Sequence, residues 1–179
     1  MTKTFNTTES FIDNSIGSWK SIRSSHSLAF QEFENTNSNI QIAKVNLDNK
    51  VVDEILKEFK SNLKINFALK IKWEAKSDWN DDQKSNIDQT ILLFSAKNSY
   101  SGKIFKNKGY AELIYSSSNY YLDEKGGLNI TTEYNSTVSF ERIHFLSKNV
   151  RFRYSIIQGK SNNEIIQTSH SSEIRDFIN

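Results

Sequence analysis

The feature that most constrains this chain is its repeated alternation of apolar and polar residues in short runs, each closed by a cluster of turn-forming residues. Side chains two apart share one face of a strand, so such runs read as strands with one buried face. Trp19 to Phe33 sets Ile22, His26, Leu28 and Phe30 on one face and Trp19, Arg23, Ser25 and Ala29 on the other. Phe67 to Trp79 sets Ile71, Trp73, Ala75 and Trp79 against Lys72, Glu74, Lys76 and Asp78. Further extended runs are Thr90 to Ala96, Tyr110 to Tyr115, Asn119 to Asp123, Leu128 to Tyr134, Thr137 to Phe145, Val150 to Gln158 and Glu164 to Ile174. Turn signals fall at Ser101-Gly102, Lys108-Gly109, Glu124 to Gly127, Ser147 to Asn149 and Gly159 to Asn163. About ten short strands in up-and-down order predict an all-β antiparallel meander barrel rather than a two-sheet sandwich. Barrels of that size fill the lumen with side chains or hold one ligand there.

Two helices interrupt the pattern. Thr7 to Ser18 carries Phe11, Ile12 and Ile16, with Asn6 placed to cap it and Glu9 three residues on. Asp48 to Ser61 carries Val51, Ile55 and Phe59 four apart beside Val52 and Leu56, with Asp48 as the expected cap. A length of 179 residues fits one domain, 1–179. Hydrophobic residues make up 36% and aromatics 12%, so Phe, Tyr and Trp must supply much of the buried area, which suits a wide, aromatic-lined interior.

Composition removes several function classes. The 23 basic and 21 acidic residues are scattered, with a net charge of +2, so no basic block is available for a run of phosphates, and nucleic acid is not expected as a partner. No apolar run approaches the roughly 18 residues of a membrane span, and Met1 to Ser10 is polar without a signal-peptide core. The protein is therefore expected to remain in the compartment where it is made. Cysteine is absent, which excludes disulfides, thiolate metal sites, a cysteine nucleophile and a chromophore kept by thioether. His26, His144 and His170 lack metal-ligand spacing, so no metal site is expected.

The chemistry-bearing stretch is Arg151-Phe152-Arg153-Tyr154-Ser155. Period two puts Arg151, Arg153 and Ser155 on one face and Val150, Phe152, Tyr154 and Ile156 on the other. In one reading the apolar set faces the core and the arginines face water. In the other the arginines line a lumen and helices cover the apolar face; each inward charge then needs a carboxylate from the protein or from a ligand. Glu141 shares a face with Ile143 and Phe145 and, in a meander, lies on the strand next to Arg151 and Arg153. Trp73 and Trp79, six apart, point the same way, either as core aromatics or as flat walls for a conjugated ligand.

Several of these motifs, in order, resemble the S-type phycobiliprotein lyases. The opening stretch Gly17-Ser18-Trp19-Lys20-Ser21-Ile22-Arg23-Ser24-Ser25-His26-Ser27-Leu28-Ala29-Phe30 looks like that family's G-x-W-x-S-x-R-x-x-H-x-L-A-F pattern. Trp73-Glu74 and Trp79, Lys108-Gly109-Tyr110-Ala111-Glu112, and Leu128 to Tyr134 continue it. Glu141-Arg142-Ile143-His144-Phe145, Asn149 to Ser155 and Ser172-Glu173-Ile174-Arg175 complete it. The resemblance implies a lipocalin-like or fatty-acid-binding-protein-like barrel, in agreement with the meander read from the strands.

It also implies a function: non-covalent binding of an open-chain bilin, phycoerythrobilin or phycocyanobilin, and its transfer to a cysteine of an apo-phycobiliprotein subunit as a thioether. The bilin would be substrate, with no resident cofactor. On this resemblance Glu141 and Arg151 are the expected catalytic residues, and Arg23, Trp73, Trp79, Arg153, Ser155 and Glu173 line the bilin pocket, the arginines holding its propionates. It further implies a homodimer and a cytoplasmic or plastid-stroma location; composition favours phycoerythrobilin. The alternative class is a barrel that carries a bilin or another small acidic hydrophobic ligand without attaching it.

Overall fold

The computed structural model describes residues 5, 7–77, 86–107 and 115–177. Its strands are β1 (Gly17–Ser27), β2 (Glu32–Lys44), β3 (Phe67–Ser77), β4 (Asn86–Asn98), β5 (Ser101–Lys106), β6 (Ser116–Leu122), β7 (Leu128–Glu133), β8 (Thr137–Ser147), β9 (Val150–Gly159) and β10 (Ile165–Arg175). Each pairs antiparallel with its sequence neighbour, and β1 also pairs with β10, so the sheet closes into a barrel of ten strands with no free edge. This is the lipocalin-like meander expected from the strand pattern.

Two strands were not legible. The run from Trp19 breaks at a turn over Leu28 to Gln31, where Gln31 takes a left-handed φ of 55°, and the chain returns as β2. The inward side of β2 begins Glu34, Thr36, Ser38, and its outward side carries Asn35, Asn37, Asn39 and Gln41, so no hydrophobic alternation announced it. Strand β5 occupies the expected turn at Ser101-Gly102. Gly102 is required there by close approach, since a Cβ would lie 2.1 Å from the Ser95 carbonyl oxygen. The expected strand Tyr110 to Tyr115 and turn Lys108-Gly109 fall on residues outside those described, except Tyr115, which is irregular.

Both helices are shorter than expected. Helix α1 (Thr8–Ser15) is capped by Thr7, whose Oγ1 accepts from the Ser10 amide at 3.1 Å; Asn6 lies outside the described residues. It stops before Gly17, whose φ of 125° turns the chain into β1. Helix α2 (Lys50–Glu58) is capped by Asn49 rather than Asp48, since the helix begins at Lys50 and the residue before it is Asn49; the Asp48 amide donates to Asn46 Oδ1 at 3.2 Å in the preceding turn. The Asn49 side chain accepts from Val51 N at 3.1 Å.

The helices decide where the barrel is filled. Helix α1 closes one end, packing Phe11 and Ile12 with Phe5, Trp19 and Phe145; Phe145 stacks edge-on against Phe5, Phe11 and Trp19 at 5.0, 5.2 and 5.9 Å. Helix α2 lies outside the wall, its Val52 and Ile55 buried with Ala68, Leu93 and Phe105. Neither covers the outer face of β9, where Phe152 and Tyr154 remain exposed, contrary to the expectation that helices would shield it. Toward the other end the inward positions change to Ser21, Arg23, Thr36, Ser38, Thr90, Ser118, Thr132 and Ser171. These side chains are too short or too polar to fill a lumen, and a cavity of about 530 Å³ remains, within the ordinary range for small-molecule sites.

Phe145→Ala should therefore destabilise the protein by about 3–5 kcal/mol, whereas Phe30→Ser at the solvent-facing β1–β2 turn should cost less than about 1 kcal/mol. Urea-unfolding midpoints of the two variants check this ordering.

Candidate functional site

The charged wall of the cavity is made by four adjacent strands, β8, β9, β10 and β1. Register places Arg151 opposite Phe145 on one side and Glu173 on the other, and Arg153 opposite Ile143 and Ser171. Glu141 faces Ser155 directly and reaches Arg153 diagonally. The arginines thus point inward, the second of the two readings that the alternation allowed.

Their burial is stabilised by the protein's own carboxylates. Arg151 Nε donates to Glu173 Oε2 at 2.5 Å, and Arg153 Nε lies 3.4 Å from Glu173 Oε1. Arg153 Nη1 lies 3.3 Å from Glu141 Oε1. Two positive and two negative charges alternate along the row, so no ligand is needed to balance them. Exposure divides the row sharply: Arg151 and Glu173 are each 1% exposed, Arg153 31% and Glu141 28%.

Burial alone would raise the Glu173 carboxyl, but Arg153 and Arg151 outweigh it and hold it below the usual carboxylate range. Burial pushes Arg151 down to about 10 despite Glu173, leaving it protonated at neutral pH. For Arg153 burial also opposes the charge, yet Glu141 and Glu173 prevail and raise it.

Arg151 is therefore not a wall of the cavity, a correction to its expected role as a catalytic or propionate-holding group. Its guanidinium lies 4.2 Å from the Trp19 ring centroid and 5.8 Å from that of Phe145, and it reaches the lumen only through Glu173. Trp19 is itself fixed, its Nε1 donating to the Ser15 carbonyl at 2.9 Å. Arg175, 4.3 Å from the same ring, donates to the carbonyls of Asn14 and Ile16 at 2.6 and 2.7 Å and so satisfies the end of α1. A cation–π and hydrogen-bonded stack thus runs from the helix plug to Glu173.

Arg23, Trp73, Glu141, Arg153 and Glu173 all line the cavity. Ser155 does not; it sits on the same inward face with its hydroxyl 2.8 Å from that of Ser169. Trp79 lies outside the described residues. The sequence reading missed Glu34 and Lys106, which line the cavity from β2 and β5, the two strands it did not find. Among the described residues the cavity therefore offers arginine donors for a ligand carboxylate, carboxylates that accept from ligand N–H groups, the indole of Trp73 and many hydroxyls.

Arg151→Met should cost about 3–5 kcal/mol, because it removes the hydrogen-bonded partner of Glu173 and leaves that carboxylate with Arg153 alone at 3.4 Å, and the double variant Arg151→Met/Glu173→Leu should recover most of that loss. The depressed Glu173 value also has a definite pH sign. Its contribution to stability is fully present above the range of an unfolded glutamate, roughly 4 to 5, and is lost as pH falls through the lower folded value. Urea midpoints of wild type and Glu173→Gln, followed from about pH 6 to pH 3, should converge as the pH falls.

Comparison with known proteins places this geometry in a lineage. The family model described as CpeS-like protein matches residues 7–176. Chromophore lyase CpcS/CpeS 3 of Trichodesmium erythraeum is 35% identical over 173 residues, covering 93% of this chain and 98% of that protein. The phycocyanobilin lyase subunit CpcS of Picosynechococcus is 29% identical over 87% of this chain and 80% of its own. The S-type phycobiliprotein lyase CPES of Guillardia theta superposes with a TM-score of 0.83 at 29% identity, covering 97% of this chain and 94% of that one. The chain belongs to the CpeS-like family, the S-type phycobiliprotein lyases.

Proposed function

We propose that this protein binds an open-chain bilin non-covalently in its barrel and transfers it to a cysteine of an apo-phycobiliprotein subunit. The observation that carries the reading is the charged row: Arg153, Glu141 and Glu173 border a cavity of about 530 Å³ while Arg151 anchors Glu173 from behind. Arg153 has five donors, of which two face protein carboxylates, so its fork can still take a propionate. Arg23, exposed at the same wall, is the natural holder of the second propionate. Trp73 offers its ring to the conjugated system, and Glu141 and Glu173 accept from pyrrole N–H groups.

The reaction is addition of the acceptor thiol across the ring A ethylidene double bond. A carbon–sulfur bond forms, the displaced electron pair moves into the tetrapyrrole, and a proton is taken up there, with no net oxidation or reduction. Held in one orientation, ring A meets the thiol at high effective concentration and on one face. Glu141, the more solvent-accessible of the two acids, is positioned to relay that proton. The bilin is substrate in this scheme and no resident cofactor takes part. Phycoerythrobilin is the preferred ligand of this reading, with action as a homodimer in the compartment where phycobiliproteins are assembled.

A bilin titration followed by absorbance tests the pocket. Arg153→Ala should weaken binding by roughly 10- to 100-fold, as expected for loss of a charge-assisted hydrogen bond. Glu141→Gln should keep binding but slow transfer, and Trp73→Ala should alter the absorption band. Spectra and affinities unchanged in all three would remove the pocket assignment. Incubation with apo-phycobiliprotein should leave an acid-stable coloured adduct on the subunit; colour retained only by this chain would make it a carrier instead.

A further inference from the structure

Because α1 and its aromatic cluster fill one end of the barrel, the cavity lies toward the other, where among the described residues β1 turns into β2 and β9 turns into β10. That rim carries a group of exposed apolar side chains. Phe30, at the tip of the β1–β2 turn, is 76% exposed, and Leu28 and Phe33 are each 49% exposed; Ile165, at the start of β10, is 45% exposed. The tip is braced: the Leu28 amide donates to the Ile166 carbonyl at 2.9 Å, and Phe33 stacks on His26 at 4.8 Å. Phe30, Leu28, Phe33 and Ile165 together form an apolar patch, the kind of surface that interaction sites use.

We infer that the β1–β2 tip, with Phe30 at its centre, is the surface through which this chain docks the acceptor subunit. The inference rests on the proposed transfer reaction, which requires a protein-borne thiol to reach a ligand inside the barrel by way of this rim. Arg23, which lines the cavity, lies on β1 five residues before Leu28, so the tip follows directly from the ligand site along that strand. The occupant follows from chemistry. The receiving cleft on the acceptor must be apolar to accept a conjugated tetrapyrrole, so its lips can take an aromatic side chain before the chromophore arrives. A lipid surface fits less well, since the residues after Phe30 are Gln31 and Glu32, without the flanking cations that membrane-bound apolar tips use. A second copy fits less well too, because a two-fold contact through this tip would set the two mouths against each other and bar a macromolecular thiol.

The test uses bilin-loaded protein and an apo-phycobiliprotein subunit. Phe30→Ser and Leu28→Ser should bind bilin with wild-type affinity and spectrum. Their transfer rate at saturating acceptor should stay within about twofold of wild type, while the KM for acceptor rises about tenfold, the loss typical of a truncated aromatic anchor. Phe152→Ser, on the side wall, should leave that KM unchanged. An unaltered KM in Phe30→Ser, a raised KM in Phe152→Ser, or a change of oligomeric state in Phe30→Ser matching the loss of transfer would each overturn the docking assignment while the lyase reading stands. A wild type that binds bilin but moves none to the acceptor would overturn both.

Discussion

Everything in the lumen depends on one buried carboxylate, that of Glu173, held ionised between Arg151 and Arg153. A lone charge at 1% exposure would be prohibitively costly, and a lone arginine equally so. Placing them on adjacent strands in direct register lets each offset the other's desolvation, and Trp19 supplies a polarisable face against the guanidinium. The pair spends little of its donor and acceptor capacity on solvent. What remains, on Arg153 and Glu141, is turned toward the cavity.

The same arrangement explains why the barrel is half filled. Aromatic side chains and α1 close one end, and from there toward the mouth the inward positions become serines, threonines and the charged row. Such an interior gives up apolar burial and gains room, hydroxyls and fixed charges. Stability is drawn from the closed end and from α2 clamped on the outer wall, so the open end is free to carry function. Position along the barrel axis also separates Arg151, 1% exposed behind Glu173, from Arg153, 31% exposed at the cavity.

Period-two alternation made the barrel, its strand order and the shared face of Arg151, Arg153 and Glu141 legible from the residues. It could not say which face was the inside. On β1 the more apolar side, Ile22 with Leu28 and Phe30 beyond it, is the exposed one, while Ser21, Arg23 and Ser25 point inward. The family motifs, not hydrophobicity, gave the correct direction on β9. Nor does alternation encode depth: Arg151 and Arg153 are equivalent by periodicity, and it is the cluster of Trp19, Phe145 and Glu173 at the closed end that makes the first of them inaccessible. Strand β2 escaped notice because its first inward residues, Glu34, Thr36 and Ser38, line the cavity with polar side chains while Asn35, Asn37 and Asn39 face outward.

The central claim is that a bilin occupies the lumen against the outer half of the charged row. The structure of the complex with phycoerythrobilin measures this directly. A propionate oxygen should lie within about 3 Å of the Arg153 guanidinium, with the Arg151–Glu173 pair undisturbed behind it. A bilin bound on the outer wall, or one that enters only by separating Arg151 from Glu173, would contradict the account.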